Sequence, residues 1–141
     1  MRRLIGRYEQ SIDPKGRLVL PSSHRDRYLD GAILSIRDGH VAIYEPAAWD
    51  EFMGELSERR KAGEVPREVF NQIAGDAADV RADSAGRILL PQFMRTEIGL
   101  DREVVVQGAH EYLAIYPKSA ADARDAETRR LAREQVDSIG I

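Results

Sequence analysis

Apolar positions along the chain fall into short runs, each closed by glycine, proline or a charged pair. "RLVLP" (Arg17–Pro21) and "RILLP" (Arg87–Pro91) are rich in branched residues and short enough to be strands. Pro21 and Pro91 cannot donate to a ladder, so each strand is expected to stop there. "AILSIRDGHVAIY" (Ala32–Tyr44) sets an Asp38-Gly39 turn between two apolar stretches and predicts a hairpin. "EVVVQGAHEYLAIY" (Glu103–Tyr116) predicts a second, turning near Gly108-Ala109.

Elsewhere the period is helical. Trp49, Phe52, Met53 and Leu56 follow an i, i+3, i+4, i+7 spacing, with Pro46 in the first turn and Gly63 as the stop. Val69, Phe70 and Ile73 mark a second helix. A short helix is expected after each Leu-Pro, the first capped by Ser22 and the second ended by Gly99. The tail "SAADARDAETRRLAREQVDSIGI" is helix-prone and charged, with Leu131, Val136 and Ile139 as its large apolar residues. That pattern suits a loosely docked helix, a partner-dependent one, or partial disorder.

The pattern repeats. At an offset of 70, Asp13, Gly16, Arg17, Leu20, Pro21 and Arg25 fall on Asp83, Gly86, Arg87, Leu90, Pro91 and Arg95. After a two-residue gap, "VAIYEP" lies against "LAIYP". Each half reads strand, glycine turn, strand, short helix, two strands. The expected organisation is a first half over 1–50, a helical linker over 51–76 packing on the β-structure, a second half over 77–120 and a helical tail over 121–141. The fold class is α+β, rich in β. The Trp49 stripe reads as packing of the helix on a β-barrel, with a subunit contact for part of it as the alternative.

Composition changes this picture little. The 141 residues are 43% hydrophobic and 32% charged, without cysteine. That excludes disulfides and thiolate chemistry and fits a reducing cytoplasm. No apolar run reaches a membrane span, and "MRRLIGRYEQ" lacks the apolar stretch of a secretory signal. Charge changes it more. The net charge is −3, but residues 1–40 carry eight basic and five acidic side chains, hence +3. An acidic protein can thus still present a basic face.

The candidate chemistry lies in the repeated turns. Lys15 and Arg17 flank Gly16, where a turn between strands displays side chains to solvent. A two-stranded ribbon fits the major groove of DNA, arginine reads guanine by paired hydrogen bonds, and lysine meets phosphate. The bland alternative is an Arg17–Asp13 bridge beside a solvated Lys15. Asp13 and Asp83 read as structural, orienting the arginine or capping the turn. Arg87 keeps the arginine, but Ala85 replaces the lysine, so Arg87 stands between a DNA contact and a packing residue. Arg2, Arg3 and Arg7 are candidate phosphate contacts. His24 reads as a surface or interface residue rather than a metal ligand. "HRD" at His24–Asp26 lacks every other kinase element, and no P-loop, G-x-S-x-G or H-E-x-x-H occurs. Nothing places a nucleophile, acid and base together, so no enzyme, catalytic residue, metal or cofactor is expected.

The order Asp-x-x-Gly-Arg, apolar strand, Leu-Pro, then arginine four residues on resembles the AbrB-like swapped-hairpin DNA-binding domain. Two copies joined by a helical linker resemble the MraZ family of transcriptional regulators, over roughly residues 4–117. The chain looks like a divergent member: His24 stands where the family usually has an aromatic, and Ala114 and Tyr116 where Glu and Trp are common. The resemblance implies two halves interleaved into one pseudo-twofold swapped-hairpin barrel; Gly16 counts with Lys15 and Arg17 as a DNA-binding residue, letting the backbone approach closely, and Gly86, Pro21 and Pro91 as structural motif residues. It also implies homo-oligomeric rings associated with the nucleoid, and binding to double-stranded DNA at promoter direct repeats of the division and cell-wall genes. Arg25, and by repetition Arg95, would be DNA contacts, as in some single-copy relatives. Their bland alternative is an exposed charge beside Asp26 or Glu97. Other readings are an AbrB-type regulator or antitoxin, and an oligomeric scaffold without DNA binding.

Overall fold

A computed structural model describes residues 3–141, so Arg2 lies outside the described residues. Each half forms the expected series. The first has β1 (Arg7–Ser11), β2 (Arg17–Val19), a 3-10 helix (Arg25–Tyr28), β3 (Ala32–Arg37) and β4 (His40–Tyr44). The second has β5 (Ala78–Val80), β6 (Arg87–Leu89), α3 (Gln92–Ile98), β7 (Glu103–Gly108) and β8 (Leu113–Pro117). Helices α1 (Pro46–Lys61) and α2 (Arg67–Asp76) join the halves, and α4 (Lys118–Ser138) forms the tail. Pro46 opens α1, and Gly99 ends α3 in the left-handed conformation. Ser22 is not a cap: the first short helix is 3-10 and begins after His24.

Strands of one half pair with strands of the other. A six-stranded antiparallel sheet runs β1-β7-β8-β4-β3-β5, and β2 pairs β6 in a separate two-stranded ribbon. The six-strand order is unchanged when the halves are exchanged (β1 for β5, β3 for β7, β4 for β8). The exchange point falls at the Ala42–Ala114 pair in the sheet and at the Leu18–Ile88 pair in the ribbon. The expected barrel does not close, because β1 and β5 are free edges of the large sheet and the ribbon is a separate ladder.

The core lies between sheet and ribbon. Leu18, Leu20, Ile88 and Leu90 come from the ribbon and the residues after it, and Leu34, Val41, Ile43, Val104, Val106, Leu113 and Ile115 from the sheet. The opposite sheet face carries the alternate residues His40, Ala42, Tyr44, Ala114 and Tyr116, as a period of two requires. Helix α1 covers part of it, with Trp49 and Phe52 each 5.6 Å from the Tyr44 ring. Trp49 and Phe52 of the stripe therefore pack on the sheet, although no residue of α1 is fully buried. Arg37 lies 4.2 Å from the Phe52 ring and Arg124 of α4 lies 4.3 Å from the Tyr116 ring, both within cation–π range. Only Ala121 and Asp125 of α4 are buried, so its C-terminal part projects into solvent.

His40 sits inside this aromatic layer, stacked on Tyr112 and tilted against Tyr116. Its Nδ1 meets the Asp38 carbonyl at 3.1 Å and its Nε2 the Tyr112 hydroxyl at 3.2 Å, a pairing that suits the neutral ring. Burial lowers the His40 pKa, and the charges of Arg37 and Arg124 push the same way. Below pH ~6.5 the unfolded chain therefore takes up a proton that the folded chain refuses, and stability falls with pH. The melting temperature is expected to drop between pH 7 and pH 5, and to drop less in His40→Phe. Equal pH dependence in both proteins would exclude His40 as the cause.

Candidate nucleic-acid interface

The two Asp-x-x-Gly-Arg segments are tight turns of the same construction. The Gly16 N–H donates to the Asp13 carbonyl and the Asp13 N–H to the Arg17 carbonyl, both at 2.9 Å. The Asp13 carboxylate accepts from the N–H groups of Lys15 (3.0 Å) and Arg17 (2.8 Å), and from Arg17 Nε at 2.7 Å. Asp83 repeats this on Ala85 (2.9 Å), Arg87 (3.0 Å) and Arg87 Nε (2.8 Å). These donors favour the ionised form, the Arg17 and Arg87 backbone N–H groups most of all, and hold both carboxyls below their usual pKa. The aspartates thus both build the turn and aim the arginine.

The ribbon then decides where these arginines point. Leu18 and Ile88 face inward and are fully buried, so their neighbours face outward. Arg17 opposes Leu89 and Arg87 opposes Val19 on that outer face. Val19 is 36% and Leu89 54% exposed. The turns emerge at opposite ends of the ribbon. Gly16 and Gly86 mark those ends and are joined through the ladder, Leu20 N–H donating to the Gly86 carbonyl and Leu90 N–H to the Gly16 carbonyl, each at 2.9 Å. The site is an exposed strip with a guanidinium at each end, an apolar centre, and Lys15 at one end only. Lys15 is exposed and makes no ion pair among the described residues.

The other basic residues are spread more widely. Arg7, on the outermost strand of the large sheet, is paired with Asp122 (2.8 Å) and Asp125 (3.1 Å) of α4 and with Glu9 (3.4 Å), so its charge is met by carboxylates. Arg3 is exposed and lines a groove with Arg27, Glu45 and Phe52, at the start of α1. His24, expected at the surface or an interface, is buried within this chain. Its Nε2 lies 2.8 Å from the Ile5 carbonyl, and its ring meets Tyr8 edge-on. Arg25 and Arg95 are half-buried and each is tied to the backbone at the end of its own ribbon strand. Arg25 Nη2 donates to the Leu20 carbonyl and Arg95 Nε to the Leu90 carbonyl, both at 3.0 Å. Pro21 is buried and Pro91 partly so, each directly after its ribbon strand. Sequence reasoning missed the two apolar residues on the strip, Val19 and Leu89. The signal for them was a three-residue apolar run before each proline, which does not reveal which members face out.

No helix among the described residues is long and apolar enough to cross a membrane. A family model described as "MraZ protein, putative antitoxin-like" matches residues 4–67 and 73–135, one copy on each half. Relatives named "Transcriptional regulator MraZ" are similar over most of the chain. That of Neisseria meningitidis serogroup C is 32% identical, covering 84% of this chain and 82% of the relative. That of Nitratidesulfovibrio vulgaris is 30% identical over 96% and 95%. That of Lachnoclostridium phytofermentans is 26% identical over 97% of each.

Proposed function

Since the chain belongs to the MraZ family, we propose that it is a DNA-binding transcriptional regulator that reads promoter direct repeats through its two Asp-x-x-Gly-Arg turns. The observation that carries this is the placement of Arg17 and Arg87 at opposite ends of one solvent-facing ribbon, each aimed by its own aspartate. Arginine at such a position can pair with guanine edges, Lys15 adds a phosphate contact, and the glycines keep the turns slim enough to approach the groove. The N-terminal turn is the stronger contact because Ala85 has no charge to offer. Arg3 joins as a phosphate contact from the N-terminal segment, and Arg7 acts in support through α4.

The finer family features belong to the same proposal. Exchange of pairing partners between the halves supports a swapped-hairpin unit, with residues 1–50 and 77–120 as its arms, 51–76 as linker and 121–141 as tail. Such units acting together in a homo-oligomeric ring would engage several boxes at once, in the cytoplasm at the nucleoid. The role requires no catalysis and no cofactor. One observation favours a second reading, an antitoxin: α4 leaves Leu131 and Val136 exposed, as a helix awaiting a protein partner would. Co-purification of a small toxin that is lost on truncating α4 would support it.

Titration of duplexes carrying one or several boxes, at several salt concentrations, tests the leading reading. Spaced boxes are expected to bind much more tightly than one, through effective concentration. Lys15→Ala is expected to lower the salt exponent by ~0.9 for each protomer engaged, one phosphate contact apiece. Binding without preference for any duplex, or a salt exponent unchanged by the substitution, would refute it.

A further inference from the structure

Arg25 and Arg95 occupy the position after Leu-Pro where the family resemblance predicts a DNA contact. The structure gives each a different neighbour, the turn glycine of the other half. A Cβ atom added to Gly16 would lie 2.8 Å from Arg95 Nη2 and 2.9 Å from its Cζ. One added to Gly86 would lie 2.6 Å from Arg25 Cδ and 2.7 Å from its Cζ, and would overlap its Nε. Real side chains do not approach so closely, so each guanidinium fills space that only glycine leaves open. Among the described residues Arg25 Nε is buried there without a hydrogen-bond partner, an exception to the usual pairing of buried polar groups that marks how closely the side chain is packed on Gly86.

The contacts form a closed circuit in each direction. Arg25 donates to the Leu20 carbonyl, Leu20 N–H donates to the Gly86 carbonyl, and the Arg25 guanidinium lies against Gly86. Arg95, Leu90 and Gly16 repeat this with the halves exchanged. Each arginine thus links the end of its own ribbon strand to the opposite turn. A guanidinium can do this because it is flat and carries donors in a fixed plane, whereas an ammonium is compact and strongly hydrated.

We propose that Arg25 and Arg95 are positioning residues for DNA recognition, each bracing the cationic turn of the opposite half. Arg95 braces Asp13–Arg17, and Arg25 braces Asp83–Arg87. The inference rests on the proposed DNA-binding role of those turns, and it predicts an order of importance. Only the first turn carries a lysine, so Arg95, although it belongs to the half with the weaker turn, matters more than Arg25.

Charge-conserving variants separate bracing from direct contact. Full-length Arg95→Lys and Arg25→Lys would be compared with the wild type in two assays, duplex DNA binding and amide hydrogen exchange without DNA. Arg95→Lys is expected to weaken binding about tenfold, the scale of one misplaced arginine–guanine pair, and Arg25→Lys by less. Exchange should rise in the peptide over 13–17 for Arg95→Lys and in that over 83–87 for Arg25→Lys. In a Lys15→Ala, Arg17→Ala background, Arg95→Lys should weaken binding no further, because the turn it serves is already disarmed.

Wild-type affinity and salt exponent in Arg95→Lys would overturn the proposal, since a phosphate contact needs only charge. An equal loss in both backgrounds would overturn it too, as would exchange rising throughout the chain, the mark of a purely structural residue. Failure of the wild type to bind any duplex would instead reject the functional reading, leaving the crossed exchange pattern to decide the brace.

Discussion

Changing Arg17 and Arg87 together to alanine is expected to reduce affinity for box-containing DNA by about 30- to 20,000-fold, from two arginine–guanine pairs worth ~1–3 kcal/mol each. The fold should survive. Both guanidinium groups are partly exposed, their bridges to Asp13 and Asp83 are local, and exposed pairs of this kind contribute little stability. Leu18 and Ile88, which hold the ribbon to the core, are untouched. Fluorescence anisotropy with labelled duplex would measure the loss, and an unchanged melting temperature would show that it arises at the interface. Arg17→Ala alone should cost more than Arg87→Ala, because Lys15 shares its turn. A double variant binding within twofold of the wild type would leave the ribbon without a role in recognition.

A large stability loss is expected from Gly86→Ala. The new methyl group meets two penalties at once. Gly86 has φ +77°, a left-handed conformation that costs a side chain ~1–2 kcal/mol. The methyl also lands on Arg25, which must leave the Leu20 carbonyl and lose a hydrogen bond worth about 1 kcal/mol. A total of ~2–3 kcal/mol should lower the melting temperature by about 10 °C in a chain of this size. Gly39→Ala is the control. It has nearly the same φ, +76°, but nothing lies within 4 Å of its added Cβ, so it should cost only the backbone penalty. Equal losses in the two variants would mean that Arg25 moves aside freely and that its packing on Gly86 contributes no stability.

Much of the candidate site was legible in the sequence because its chemistry is local. An aspartate two and four residues before the N–H groups it binds, a proline at the second turn position and a glycine at the fourth describe the turn at Asp13 without reference to the rest of the chain. The same holds for the Asp38-Gly39 hairpin and for the start of α1 at Pro46. Ser22 misled for a related reason. A favourable capping residue before a short polar stretch does not by itself make a helix start there, and the chain tightens into a single 3-10 turn three residues later. The burial of His24 was not legible because it comes from Tyr8 and the Ile5 carbonyl, 16 and 19 positions earlier in the chain, which the fold of the N-terminal segment brings against it.

The sequence by itself determined the repeated unit, its turns and strands, and the bias of positive charge toward the first turn, since each follows from interactions among residues within a few positions of one another. The tertiary structure alone decided which half each strand pairs with, that the large sheet stays open, that Arg7 is held by the carboxylates of α4, and that Arg25 and Arg95 reach the opposite glycines. Those outcomes depend on long-range chain crossings. An arginine's reach is written in its side chain, but the carbonyl or glycine it meets is set by where two distant strands come together.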